Sequence, residues 1–273
     1  MHQPAPETSP IPRAPSQAVW NGLTAAERAA VVAGLPCYMT EAELSPPEGD
    51  HHANARSLAR DTLRDHYQRI GRRAYVGSDL IVYYPDERRF APDLFVVLDV
   101  EPGNRDSWIV SAEGKGLDFV LEVLYHGDRA KDLAENVRFY AQLGIPEYFV
   151  YDRARQRVHA WRLTEGRYLP ILPQRGLHPS EVLGFGVAIE DGRLRFYLAE
   201  AVLPEPHELL ARAQKVADQL MARLDEEERA RAESERARAE SERAQAESER
   251  ARAESERRLA EALALIEQLK ADR

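Results

Sequence analysis

The chain has 273 residues, 46 acidic against 37 basic for a formal net charge of −9, a 44% hydrophobic content and a single cysteine, Cys37. This length and apolar fraction allow one or two domains with a buried core, while one cysteine excludes an intrachain disulfide and any Cys₄ or Cys₂His₂ zinc site and fits a reducing, cytoplasmic setting. No run approaches the roughly 18 apolar residues of a membrane span, no signal segment opens the chain, and the charge argues against a uniformly basic nucleic-acid coat while leaving room for a local basic surface.

Composition divides the chain into three. Residues 1–18 hold five prolines and no periodicity, and read as a disordered arm. Residues 19–204 hold every aromatic residue and read as the folded domain. Within it, Thr24 and Glu27 form a capping-box pattern that starts a short helix ending near Gly34-Leu35-Pro36. A second helix is predicted from about His51 to Ile70, with Ala55, Leu58, Ala59, Leu63 and Tyr67 as its apolar side. The period then changes: DLIVYY (79–84), APDLFVVLDV (91–100) and LDFVLEVL (117–124) read as buried strands. A helix over about 129–143 stops at Gly144-Ile145-Pro146. The segments EYFVYD (147–152) and RVHAWRL (157–163) read as strands around a turn, and Asp191-Gly192 marks a later hairpin. This order predicts an α/β fold with a central mixed sheet flanked by helices.

Residues 205–273 lack glycine and aromatics, have Pro206 as their only proline, and read as a long helix or coiled coil. The heptad ERARAES begins at Glu228, Glu235, Glu242 and Glu249, with Gln245 its one departure. One seam runs through Leu209, Ala213, Val216 and Leu220, continues in alternating Ala and Ser from Ala230 to Ser255, and closes at Ala262, Leu265 and Leu269. Ala and Ser bury little area, and the alternative is a solitary helix held by Arg–Glu pairs worth roughly 0.2–0.5 kcal/mol each.

Two carboxylates interrupt otherwise uncharged strand runs. Asp93 follows Pro92 before LFVV, and Glu122 lies inside FVLEVL; a carboxylate there is costly unless paired, protonated or bound to a cation. Adjacent strands would bring both to one Mg²⁺ or Mn²⁺ ion, hard cations that suit carboxylates and phosphate. The plainer reading has Asp93 capping a turn and Glu122 paired with an arginine.

The series RFAPDLFVV, LDFVLEVL and DRAKDLAENVRFYAQLGIPEYFVYD, within residues 40–190, resembles the Uma-type putative restriction endonucleases, a branch of the PD-(D/E)xK phosphodiesterase superfamily. The resemblance implies a restriction-endonuclease-like fold with Asp93 and Glu122 as metal-binding acids, the Val123 carbonyl as a further ligand, and a histidine at His51 or His52. It also implies a lysine where this chain has Leu124, or on the following helix where it has Asn136. Asparagine supplies no charge, so Lys131 is the replacement candidate, although on an α-helix it lies about 140° from Asn136. Only four lysines occur in the chain, which makes one nine residues after Glu122 more conspicuous. Asp132 positions that lysine or caps the helix; His126 and Asp128 are further polar candidates.

Other patterns carry less. His159 reads as an ordinary strand residue, and Gly114-Lys115-Gly116 lacks the rest of a phosphate loop. Arg69, Arg72, Arg73, Arg88 and Arg89 read either as contacts to a DNA backbone or as solvated loop charge. Two functions follow: a metal-dependent DNA endonuclease that self-associates through its tail, or a catalytically lapsed nuclease fold serving as a binding or scaffolding module.

Overall fold

The computed structural model describes residues 11–40, 43, 49–125 and 129–271, and the chain divides into two units, Met1–Glu208 and Leu209–Arg273. In chain order, α1 (Gln17–Gly22), α2 (Ala25–Gly34) and α3 (Asp50–Arg69) precede β1 (Ala74–Gly77), β2 (Ile81–Tyr83), β3 (Leu94–Leu98) and β4 (Ser107–Ile109). A one-turn α4 (Val110–Glu113) leads to β5 (Phe119–Leu124), then to a π-helical turn (Lys131–Glu135) that continues into α5 (Asn136–Gln142), then to β6 (Glu147–Asp152). The strands β7 (Arg157–Thr164), β8 (Arg167–Pro170), β9 (His178–Ser180), β10 (Phe185–Glu190), β11 (Arg193–Leu198) and β12 (Ala201–Val202) follow, and α6 (Pro206–Ala271) ends the chain.

The central sheet is mixed, in the order β1-β3-β5-β6-β7-β8. Its pairs are antiparallel except β5 with β6, the parallel pair whose crossover carries the π turn and α5. Because β5 is covered on both faces, all six of its residues are buried, and apart from Glu122 the run is apolar rather than alternating. Its odd positions, Phe119, Leu121 and Val123, share a core with Ala59, Leu63 and Tyr67 of α3. Its even positions, Val120 and Leu124, share another with Phe139 and Tyr140 of α5. Glu122 belongs to this second face, so the strand's period of two aims the one charged side chain toward α5.

Several local predictions are met for the expected reasons. Both halves of the Thr24–Glu27 capping box form at the start of α2. Asp191 and Gly192 take φ of 51° and 72° between β10 and β11, the left-handed pair that a two-residue hairpin requires. The disordered arm is corrected in part. Ala14 is buried in a bridge to Pro85, Arg13 donates to the Asp86 carbonyl at 2.9 Å, and the Ser16 hydroxyl caps α1. Periodicity is blind to such docking, because an extended segment can satisfy its backbone on another loop without a pattern of its own. Residues 1–10 lie outside the described residues, as do His126 and Asp128.

The helix α6 is continuous through the heptads, about 100 Å at 1.5 Å per residue. Val216 and Leu220 of the seam are exposed in the single chain, and Arg231–Glu235 and Arg257–Glu261 form i,i+4 ion pairs at 3.1 and 3.0 Å. The side chains of Leu265 and Leu269 lie outside the described residues. Among the described residues no helix is long and apolar enough to cross a membrane.

Candidate active site

The β3–β5 register pairs Leu94 with Leu121, which sets Asp93, one residue before β3, against Glu122. The Asp93 N–H donates to Glu122 Oε2 at 3.0 Å, and the Val123 N–H donates to Asp93 Oδ2 at 2.8 Å. The Ser78 hydroxyl donates to the Asp93 carbonyl at 2.8 Å and fixes the turn from the other side. Each acid is thus oriented by backbone next to the other, a rigid placement that loops alone would not give.

The first turns of α3 supply one wall. His52 Nε2 lies 3.0 Å from Asp93 Oδ2, and one turn on, Arg56 Nη1 lies 3.7 Å from Asp93 Oδ1 and 2.5 Å from Asp79 Oδ2. His51, its neighbour, turns away and meets the Tyr125 ring edge-on, so the histidine at the acids is His52.

The opposite wall is the π turn. The Asn136 N–H bonds to the Lys131 carbonyl five residues back, which widens the helix by one residue for a single turn. On an α-helix Lys131 and Asn136 would diverge by about 140°; i→i+5 bonding reduces that divergence. Asn136 is buried and its Nδ2 donates to Asp132 Oδ1 at 3.2 Å; Lys131 is exposed and lines the same cleft. Four residues beyond Asn136, the Tyr140 hydroxyl donates to Glu122 Oε1 at 2.7 Å.

These walls enclose a cleft of about 660 Å³ whose lining includes His52, Asp93, Glu122, Val123, Lys131, Asp132 and Asn136; His51 and Leu124 do not line it. Burial pushes the Glu122 carboxyl well above its ordinary range, and the charges of Asp93 and Asp132 push it further. Burial and the neighbouring Glu122 likewise raise Tyr140, keeping its hydroxyl a donor. Asp79 is raised by burial, against the opposing pull of Arg56.

Among the described residues Glu122 is paired with no arginine; its partners are a backbone N–H and a tyrosine. Most of the arginines considered for a DNA surface are engaged with acids: Arg69 with Asp65, Arg72 with Asp99, Arg73 with Glu101, and Arg89 in a buried pair with Glu43. Lys115 is also accounted for, 2.8 Å from Asp118 and donating to the Leu98 carbonyl. Sequence reasoning missed Arg56, Asp79 and Tyr140. The four-residue spacing from His52 to Arg56, and from Asn136 to Tyr140, was the available signal, since it puts each pair on one helix face.

The pair of adjacent carboxylates suits a hard divalent cation, since one of them is a buried acid whose ionisation is opposed by like charges that a cation would offset; Asp132 lines the same cleft and bonds to Asn136. A second acidic group, Glu205, His207 and Glu208, has ligand atoms within 4.8 Å of one another, but Arg193 and Arg195 already pair with its carboxylates.

Among solved structures, the chain is similar to one described as a putative nuclease belonging to DUF820 from Anabaena variabilis ATCC 29413, with 15% identity, 51% of this chain and 76% of that chain covered, and a TM-score of 0.41. No curated protein matches it. The model of the Uma2 family, described as "Putative restriction endonuclease", matches residues 40–190, the segment that contains the whole Asp93–Glu122 site and both of its walls. The chain belongs to the Uma2 family.

Proposed function

We propose that the protein is a metal-dependent endonuclease that hydrolyses DNA phosphodiester bonds, with Asp93, Glu122 and Lys131 as its chemical centre. The observation that carries this reading is the Asp93–Glu122 pair. Two carboxylates are locked side by side at the floor of a cleft, one of them buried with no cationic partner in contact among the described residues. Such an arrangement is unfavourable in a merely structural core and sensible in a site for Mg²⁺ or Mn²⁺. Asp93, Glu122 and the Val123 carbonyl would hold the ion. When bound, it supplies Lewis-acid polarisation of the phosphate and a water of lowered pKa.

The chain's own groups do the rest. His52 and the Val123 N–H orient Asp93, while Tyr140 and the Asp93 N–H orient Glu122. Lys131 orients the attacking water and steadies the negative charge that grows on the phosphoryl oxygens. Asn136 holds Asp132 and leaves the positive charge to Lys131. The water oxygen forms the new bond to phosphorus, the bridging P–O bond breaks, and the leaving oxygen takes up a proton. A catalytically lapsed binding module is the weaker reading, because it gives no reason to keep two acids in so costly a place.

A second copy of the chain is the proposed partner of α6. In the seam's phase, Glu233, Glu240 and Glu247 occupy one flanking position and Arg231, Arg238 and Arg252 the other. In a parallel pair these positions face each other with opposite charge, whereas in an antiparallel pair like would meet like. Two parallel chains would carry two centres, an arrangement that suits cutting both strands of a duplex. The single cysteine fits a cytoplasmic setting for this work.

The test is plasmid cleavage with Mg²⁺ and with Mn²⁺. Asp93→Ala and Glu122→Ala should abolish cleavage, and Lys131→Ala should lower it by roughly 10²–10³-fold. Cleavage that survives Glu122→Ala sinks the assignment.

A further inference from the structure

We infer that Arg88 is a phosphate-binding residue of the cleft, gripping the backbone of the bound nucleic-acid strand beside the reacting centre. The inference rests on the nuclease reading above and adds the residue that captures the strand. A protein of net charge −9 whose cleft floor is made of carboxylates must attract a polyanion with local cations, and the structure limits which cations are available. Arg56 is held by Asp79 and Asp93, and Arg89 is sealed against Glu43. Arg88 differs from both. It is exposed, it lines the cleft, and among the described residues it has neither an ion pair nor a hydrogen bond.

Its position is nevertheless fixed. The guanidinium carbon lies 4.2 Å over the Phe139 ring, so one face is used in stacking and the edge with its N–H donors is left for an anion. The stack is built from both sides. The next residue, Arg89, donates to both Glu43 oxygens at 2.8 and 2.6 Å and to the Tyr83 hydroxyl at 3.1 Å, which anchors the backbone. Phe90 packs edge-on against the same Phe139 at 5.3 Å and exchanges backbone hydrogen bonds with Val82. Three consecutive residues are therefore tied down, and of these three Arg88 is the one that offers its charge to the cleft. A stacked, acid-free arginine loses little side-chain freedom on meeting a phosphate, which favours that contact over one made by a loose surface arginine.

The test uses the full-length protein and a fluorescein-labelled DNA duplex of mixed sequence. Binding is measured by anisotropy in chelator between about 50 and 200 mM salt. Cleavage of the same duplex is then measured with Mg²⁺. Arg88→Ala should weaken binding and make the plot of log affinity against log salt shallower by about 0.9, the loss of one phosphate contact. Its KM should rise with kcat kept. Arg88→Lys should restore the salt slope but not all of the affinity, because lysine keeps the charge without the stacked fork. Arg73→Ala, which removes the same charge from a site paired with Glu101, should leave the slope unchanged. Arg88→Ala with the parent's slope and KM overturns the inference while leaving the nuclease reading intact. A parent that neither binds nor cuts DNA overturns both.

Discussion

Asp93 and Glu122 hold each other in place across β3 and β5: the backbone N–H of the first donates to the second at 3.0 Å, while the carboxylate of the first accepts from the residue after the second. Glu122 is therefore buried beside two like charges, Asp93 and Asp132, and its carboxyl titrates well above the ordinary 4.5. Between that value and the raised one the folded state binds the extra proton, so this group's contribution makes stability fall as pH rises. Glu122→Gln should raise the melting temperature of the metal-free protein at neutral pH, with the gain fading below about pH 4.5, and should abolish cleavage. Added Mg²⁺ should stabilise the parent and not the variant. Thermal melts with and without chelator check this; a variant that melts lower than the parent at neutral pH counts against the electrostatic account.

Tyr140 acts through Glu122. Its hydroxyl reaches Oε1 at 2.7 Å from a buried position between Phe90 and Tyr148. Tyr140→Phe keeps the ring packing and removes one donor, and partners of this kind typically matter by 10–100-fold in metal affinity or activity. The expected result is a higher Mg²⁺ concentration for half-maximal cleavage, with a melting temperature close to the parent's. An unchanged Mg²⁺ requirement would remove Tyr140 from the site.

Glu122 and Asp93 were visible in the sequence because a charge inside an apolar strand run violates the pattern around it. The strand runs themselves, the capping box at Thr24 and the Asp191-Gly192 hairpin were visible because local residue types dictate them. Arg56 and Asp79 were not, since an arginine on a polar helix and an aspartate before a strand look like ordinary surface until tertiary packing brings them together. The π turn was equally hidden. KDLAENVRFY has an unremarkable helical pattern, and the extra residue is accommodated where buried Asp132 and Asn136 must both face inward while α5 keeps Phe139 and Tyr140 on the sheet.

That turn makes its own prediction. Deleting Ala134, an exposed residue of the π segment, should restore i→i+4 bonding and rotate Lys131 by about 100° relative to α5. Helix content by circular dichroism should be retained, and cleavage should fall to the level of Lys131→Ala. Cleavage at the parent's rate would mean that Lys131 has no role in the reaction.

The buried Arg89–Glu43 pair links the cleft wall to acid stability. Hydrogen bonds from the Arg89 guanidinium lower the Glu43 carboxyl to about 2. A depressed acid contributes stability that is present above its ordinary pKa and lost as pH falls through the folded value, here the window from about 4.5 down to about 2. Glu43→Gln should flatten the stability profile in that window, and Arg89→Ala should cost roughly 3–5 kcal/mol at neutral pH by stranding the carboxylate. Urea melts across the acid range check both; parallel profiles for parent and Glu43→Gln would contradict the pairing.

The structure fixes where α6 can be cut. Its first turn belongs to the folded unit, because Arg195 donates to both oxygens of Glu208 at 3.0 Å, so a truncation at Pro206 would strip a buried arginine of a partner. Ending the chain after Arg212 keeps that pair and removes the heptads. Sedimentation should show the full-length chain at twice the monomer mass and the truncated chain at the monomer mass. Cysteine pairing then tests orientation on a Cys37→Ser background. A cysteine placed at Ala244 in the seam should crosslink to its own copy in a parallel pair, since the same seam position meets itself only when the chains run in register. Equal oligomeric states for the two lengths would leave α6 a solitary helix held by its Arg–Glu pairs and would remove the route by which two cutting centres meet one duplex.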